Sequence, residues 1–272
     1  MPLLAAPMSS TRRFIPLIAL ACAPLIGLYA RTAHADLTDE IQVYDDSINK
    51  RGQVGLELHL NTTVDGRSTP EWPGEITPNH GFRTTMEWSY GLTDTLEAGL
   101  YLPIVHDSTG STYFPGPRFR LKWIPQRPEE GSSGIFYGLN VEVSAVNERF
   151  EQGRPAVEIR PIVGYRSPLW LVSFNPVIDE TYRSRHVSDR PDFNPGLKIA
   201  RTVAKDTALG LEYYNDFGSV GNFEPPHKQD QQLFAAIDVT GGPLPFNFGI
   251  GHGLNGASDK LTLKAIFEVP LD

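Results

Sequence analysis

The feature that most restricts the fold of this chain is a two-residue alternation of apolar and polar side chains, repeated along most of its length. In residues 53–61, valine and leucine take every second position, while polar or small residues such as Glu57 and His59 take the positions between them. Residues 82–90 and 95–102 repeat this alternation. Because successive side chains of a β-strand point to opposite faces, the period predicts strands with one apolar and one polar face.

Nine further segments have the same period, so the sequence predicts twelve strands in all. A bacterial single-chain membrane barrel has an even number of strands, each about 9–11 residues long. We therefore predict an all-β fold, a transmembrane antiparallel up-and-down β-barrel of about 12 strands. The nine segments lie near residues 118–123, 135–143, 157–165, 170–178, 195–201, 209–214, 233–239, 246–251 and 261–268.

The predicted connections alternate in length, as they do in barrels with short periplasmic turns and long outer loops. Two connections depart from this rule, since 124–134 is long for a turn and 254–259 is short for a loop. We predict that both chain termini are periplasmic. The short links are 91–94, 165–169, 202–206 and 241–245, and the long links are 62–80, 103–116, 144–155, 179–194 and 217–230.

The N-terminus has the composition of a secretory signal peptide. Arg12 and Arg13 precede an apolar run over residues 14–30, and the segment Ala33-His34-Ala35 places small residues where a signal peptidase reads them. This pattern predicts a signal peptide over residues 1–35 that is removed on export.

The predicted mature chain has two parts, a periplasmic N-terminal leader over residues 36–52 and a barrel over residues 53–272. Cys22 is the only cysteine and lies in the signal, so the mature chain has no thiol for a disulfide, a metal or catalysis. The net charge of the whole chain is −8, and the signal carries arginines but no acids, so the mature chain is more acidic still. This charge argues against nucleic acid as a partner.

A secreted β-sandwich would also show alternation, because one face of each sheet packs on a core. The polar face here carries charged residues and glycines on almost every strand, which a lumen accommodates and a sandwich core does not. Pro161 is an exception to the pattern, since a closed sheet has no edge to tolerate a missing donor, and we expect a bulge there. Aromatic residues near strand ends predict a membrane girdle: Trp88, Tyr90, Trp123, Tyr165 and Trp170.

Charged side chains on the polar face are the candidate lumen lining. Three cations on the predicted fourth strand form a ladder of one parity, with acids on the neighbouring strands. The ladders could select small polar or anionic solutes by their field, or the charges could pair and fill a closed lumen. The candidate residues are Glu57, His59, Arg83, Glu87, Glu97, Arg118, Arg120, Lys122, Glu142, Glu158 and Arg160.

Several stretches resemble a group of proteobacterial outer-membrane barrels related to the transporter of the phenol meta-degradation pathway. The stretches are residues 40–45 (EIQVYD), 90–94 (YGLTD) with 97–103 (EAGLYLP), and 256–261 (GASDKL). The resemblance implies a porin-like or transport role and supplies no catalytic residues.

The sequence therefore favours an outer-membrane porin-like channel or transporter for small solutes, either hydrophobic and aromatic or anionic. A non-conducting structural barrel and an outer-membrane lipid hydrolase remain alternatives. The hydrolase would need a serine–histidine pair on the outer wall, and the sequence around His252 shows no such pattern. We predict no catalytic, cofactor-binding or metal-binding residues, because His59 and Glu57 on one strand make only half a metal site. The predicted partners are the outer-membrane lipid bilayer, the barrel-assembly machinery and a small-molecule solute.

The alternation of long and short links makes a topological prediction. In whole cells, a cysteine at Ser68 in the first long link should react with a membrane-impermeant maleimide, and a cysteine at Thr93 in the first short link should not. Labelling at Thr93 alone would mean that the barrel has the opposite orientation.

Overall fold

A computed structural model describes residues 40–151, 155–181 and 190–271, and in these residues the chain forms twelve antiparallel barrel strands. The predicted signal peptide and its cleavage site lie outside the described residues, as does most of the link between strands seven and eight. The strands are β1 (Val54–Asp65), β2 (Phe82–Gly91), β3 (Leu96–His106), β4 (Arg118–Gln126), β5 (Gly134–Ser144), β6 (Ala156–Arg166), β7 (Trp170–Asn175 and Ile178–Thr181), β8 (Asp192–Phe193 and Gly196–Ala204), β9 (Thr207–Asp216), β10 (Asp230–Val239), β11 (Phe246–Gly253) and β12 (Leu261–Glu268).

The twelve strands form one closed sheet. Each strand pairs with its neighbours in sequence, and β1 also pairs with β12 over a register that runs from Glu57 opposite Glu268 to Asp65 opposite Leu261. The predicted up-and-down barrel of twelve strands is therefore confirmed. Among the described residues, no helix is long and apolar enough to cross a membrane.

The two ends of the barrel differ in their connections. At one end, here called the turn end, the strands are joined by the short links 92–95, 127–133, 167–169, 205–206 and 240–245. The opposite end, called the loop end, carries the long links, and a two-residue strand, Thr112–Tyr113, there extends the sheet beside β3. Several strands run further toward the loop end than predicted. In β1 the consecutive threonines Thr62 and Thr63 interrupt the alternation, while the backbone ladder continues to Asp65.

The proline in β6 is accommodated without the predicted bulge. Pro161 keeps regular register with Leu139 of β5. On its other side β6 pairs with β7 in a single register, in which Ile159 lies opposite Ile178 and Val163 lies opposite Phe174. This register places Pro161 opposite Pro176, at the break between the two parts of β7. Because neither proline has an N–H, the two missing donors fall at the same place in the ladder. The prediction of a bulge at Pro161 is wrong for this reason.

The outer wall of the barrel is apolar, with large exposed side chains at alternate positions of nearly every strand. Leu211 near the middle of β9 is 54% exposed and Ile135 of β5 is 63% exposed. An apolar wall of this kind is typical of a surface that faces lipid, since soluble monomers rarely expose so large an apolar band. The five aromatic residues predicted to form a girdle are all exposed, and all lie toward the turn end: Trp88, Tyr90, Trp123, Tyr165 and Trp170.

The outer wall predicts the cost of a charge facing lipid. Leu211→Arg should lower the free energy of unfolding in lipid vesicles by about 2–4 kcal/mol, because arginine at the bilayer midplane loses its hydration. Leu254→Arg is the matched control. Leu254 is similarly exposed but lies in the link after β11, where the cost should be about 0–1 kcal/mol. Equal losses in the two variants would contradict the assignment of the outer wall.

Candidate functional site: the charged lumen

The structure places all eleven candidate residues on barrel strands with their side chains on the inward face. Glu57, Arg118, Lys122 and Glu158 are half-buried, and the others are buried. Whether these side chains line a path for solutes stays a prediction. The buried set is His59, Arg83, Glu87, Glu97, Arg120, Glu142 and Arg160.

Arg120 is the centre of the largest cluster of charged side chains. Its Nε donates to Glu87 Oε1 at 2.7 Å, and its Nη2 lies 2.7 Å from Glu97 Oε1. On the other side of Glu87, His59 Nε2 lies 3.0 Å from Oε2. The cluster forms because β1, β2, β3 and β4 are neighbours in the sheet and present these residues on the same face. Pairing and hydrogen bonding make the burial of such charges tolerable.

Three further inward cations have carboxylate partners. Gly99 on β3 lacks a side chain, and the Arg120 chain lies across it so closely that a Cβ there would fall 2.7 Å from Arg120 Cγ. This glycine therefore makes room for the ladder. The further pairs are Arg118 with Glu142 (3.5 Å), Lys122 with Glu97 (3.7 Å) and Arg160 with Glu158 (2.8 Å).

A second charged cluster lies on β8, β9, β10 and β12, and it was absent from the predicted site. Lys198 Nζ lies 3.2 Å from Glu212 Oε1 and 2.8 Å from Asp238 Oδ1. Lys264 Nζ donates to Glu212, and both side chains are only 1% exposed. These four residues lie on the polar face of their strands, where the alternation of the sequence places them. No pattern within one strand joins them, because the pairs depend on the strand register.

The N-terminal segment 40–52 enters the barrel from the turn end. Tyr44 is its central residue. The Tyr44 N–H donates to Asn175 Oδ1 at 2.6 Å, its hydroxyl shares a 2.5 Å hydrogen bond with the Tyr101 hydroxyl, and the Arg160 guanidinium lies over its ring at 4.3 Å. Lys264 Nζ donates to the Ile41 carbonyl at 2.8 Å. The Asn49 N–H donates to Glu97 Oε2 at 2.8 Å, so the segment contacts both charged clusters.

Acidic residues of the segment bind one arginine near the turn end. Arg166 Nε donates to Asp46 Oδ1 at 2.7 Å, and its Nη2 donates to Asp45 Oδ2 at 2.8 Å. Burial would raise the pKa of the Asp45 carboxyl, but the Arg166 guanidinium and the Ser47 N–H hold that pKa at about 2. Asp45 is therefore ionised at neutral pH, and the pair anchors the segment to β6.

Aromatic rings fill much of the remaining interior. Phe234 of β10 points into the barrel and is buried there. Its ring lies against Gly251 of β11, where an added Cβ would fall 2.3 Å from the ring. Phe136 of β5 is buried beside Gly164 of β6 in the same way. Inward glycines therefore provide the space that large rings on the next strand occupy. The middle of the lumen is packed with side chains in this structure.

A closed antiparallel barrel with an apolar outer wall and a charged interior is the architecture of an outer-membrane β-barrel, and this chain has that architecture. Its fold is similar to that of an outer membrane channel from Pseudomonas putida F1. That match has a TM-score of 0.58 at 12% identity and covers 85% of this chain and 99% of the other. A second match, the KdgM porin, has a TM-score of 0.48 at 11% identity and covers 81% of this chain and 100% of the other. No protein-family model matches the chain, and no curated protein sequence matches it.

The buried ion pair of the second cluster predicts a large effect on stability. Glu212→Gln should lower the free energy of unfolding by about 3–5 kcal/mol, because the buried Lys264 would lose the carboxylate that compensates its desolvation. Unfolding by denaturant in lipid vesicles measures this loss. Lys260→Gln is the control, since its pair with Asp65 is exposed and should contribute at most about 1 kcal/mol. A small loss at Glu212 would mean that water reaches Lys264.

Proposed function

We propose that the protein is a porin-like outer-membrane channel for small solutes and that it favours anions. One observation carries this proposal: Arg118, Arg120 and Lys122 project into the lumen from β4 at every second residue. Alternate residues of a strand lie about 6.5–7 Å apart, so the three cations form a continuous basic stripe. Rings and stripes of charge of this kind select ions in pores.

The acids lie at different distances from the three cations of the stripe. Glu87 and Glu97 approach the stripe at Arg120, while Arg118 and Lys122 at its ends are half-buried and make longer contacts of 3.5 and 3.7 Å. Arg118 and Lys122 are also the more exposed members of the stripe, with side chains 18% and 12% exposed against 3% for Arg120, so passing anions can reach them. The proposal therefore assigns selectivity to the two ends of the stripe.

The resemblance of residues 40–45, 90–94, 97–103 and 256–261 supports hydrophobic or aromatic solutes and a link to phenol degradation. We keep them as a second proposal about the solute. The proposal includes no enzymatic activity. His252 lies on the outer wall, and in the described part of the chain its imidazole makes no hydrogen bond to a serine.

A non-conducting structural barrel is the alternative that a specific observation favours. Tyr44, Tyr101 and Phe136 are buried inside the barrel, so an open path requires movement of the N-terminal segment or of side chains. Conductance in a planar bilayer separates the two functions. A channel gives discrete current steps, whereas a structural barrel gives none.

Replacing the basic stripe tests the selectivity. The triple variant Arg118→Gln, Arg120→Gln, Lys122→Gln should conduct with lower permeability for anions relative to cations, seen as a shift of the reversal potential under a salt gradient. The control is Arg201→Gln, Lys205→Gln, Lys260→Gln, which removes three exposed cations outside the lumen and should leave the reversal potential unchanged. An unchanged reversal potential in the stripe variant would contradict the mechanism, and absence of current from the wild-type protein would contradict the channel.

A further inference from the structure

A histidine and two glutamates meet in the turn-end half of the lumen. Glu57 and His59 lie two residues apart on β1, and Glu87 on β2 is the direct cross-strand partner of Glu57. One ligand atom from each of these side chains lies within 4.8 Å of the other two. Sequence spacing alone supplied only the two ligands on β1, and the strand register adds the third.

We propose that Glu57, His59 and Glu87 bind one divalent transition-metal ion. His59 Nε2 lies 3.0 Å from Glu87 Oε2 and 3.7 Å from Glu57 Oε2. Ligand atoms about 2.0–2.2 Å from a tetrahedral zinc ion are about 3.3–3.5 Å apart. The two distances from His59 bracket this separation, and the Glu57 and Glu87 ligand atoms lie within 4.8 Å of each other, so side-chain rotation can bring the three atoms to binding distance.

The charges around Glu57 favour a bound cation. Glu57 has a carboxylate as its direct partner on each side, Glu87 on β2 and Glu268 on β12. Like charges directly opposite each other destabilise a sheet. Within the described residues, His59 is the only basic side chain within 4.0 Å of the Glu57 carboxylate. A divalent ion between Glu57 and Glu87 would offset this repulsion.

The surroundings of the three ligands are also suited to a metal. Arg120 donates to Glu87 Oε1, which leaves Oε2 directed at His59. Carboxylate ligands in metal sites are commonly held in this way by a second hydrogen bond. The His59 ring is fully buried, and its centroid lies 6.4 Å from the centroid of the Tyr101 ring. The Glu57 side chain is 31% exposed, so water can complete the coordination.

The mixture of ligand atoms indicates the class of metal. One imidazole nitrogen with two carboxylate oxygens suits Zn²⁺, Co²⁺, Ni²⁺ or Cu²⁺, whereas Mg²⁺ and Ca²⁺ prefer oxygen ligands alone. The ion would join β1 to β2 near the Arg120 cluster.

The test is metal binding by the full chain, folded in detergent and free of any polyhistidine tag. Co²⁺ is the probe, because its visible absorption reports the ligands and coordination number, and Zn²⁺ should displace it. We expect one equivalent of Co²⁺ per chain. Glu57→Gln and His59→Gln should each weaken binding by about tenfold or more, in line with the loss of a ligand. His252→Gln on the outer wall is the control and should bind like the wild type.

Thermal unfolding gives an independent readout that does not depend on absorption. Zn²⁺ should raise the Tm of the wild-type protein, because it binds only the folded state, and it should leave the Tm of Glu57→Gln nearly unchanged. Glu57→Gln keeps the side-chain volume at a half-exposed position, so this variant decides the matter if His59→Gln does not fold. Failure to bind Co²⁺ at millimolar concentration, or equal affinity in wild type and Glu57→Gln, would overturn the site.

Discussion

The pairing of β1 with β12 is the constraint on which the rest of the structure depends. Lipid offers no hydrogen bonds to an exposed N–H or C=O, so a sheet can cross a membrane only if it has no free edge. The pairing of β1 with β12 removes that edge. It runs from Glu57 opposite Glu268 to Asp65 opposite Leu261. Because the sheet is closed, each strand must place one face against lipid and the other face in the lumen.

Closure turns the polar faces of the strands into a confined interior where every charge needs a partner. The Arg120 cluster and the Lys264–Glu212 pair meet this need on different sides of the barrel. The N-terminal segment joins them, because the Ile41 carbonyl accepts from Lys264 while the Asn49 N–H donates to Glu97 Oε2 at 2.8 Å. Movement of this segment would therefore disturb both charged clusters at the same time.

Local sequence rules described the wall of the barrel well, and they failed where two strands had to be considered together. The bulge expected at Pro161 does not occur, because Pro176 stands opposite it and the two prolines share one gap in the ladder. The strands near Asp65 and His106 continue past the last alternating residues. In both cases the partner strand decides the outcome, and a pattern within one strand contains no information about its partner.

The amino-acid sequence alone was sufficient to predict the all-β class, the twelve strands and the face on which each charged residue lies. These properties follow from side-chain alternation, which is a local property of an extended chain. The tertiary structure alone decided which charges meet. Glu57 and Glu87 are thirty residues apart in the sequence and become direct partners through the register of β1 and β2. Lys264 reaches Glu212 across strands that are not neighbours in the sheet. The place of residues 40–46 inside the barrel was likewise decided by contacts with distant strands, because a short segment without a periodic pattern takes its conformation from the surfaces around it.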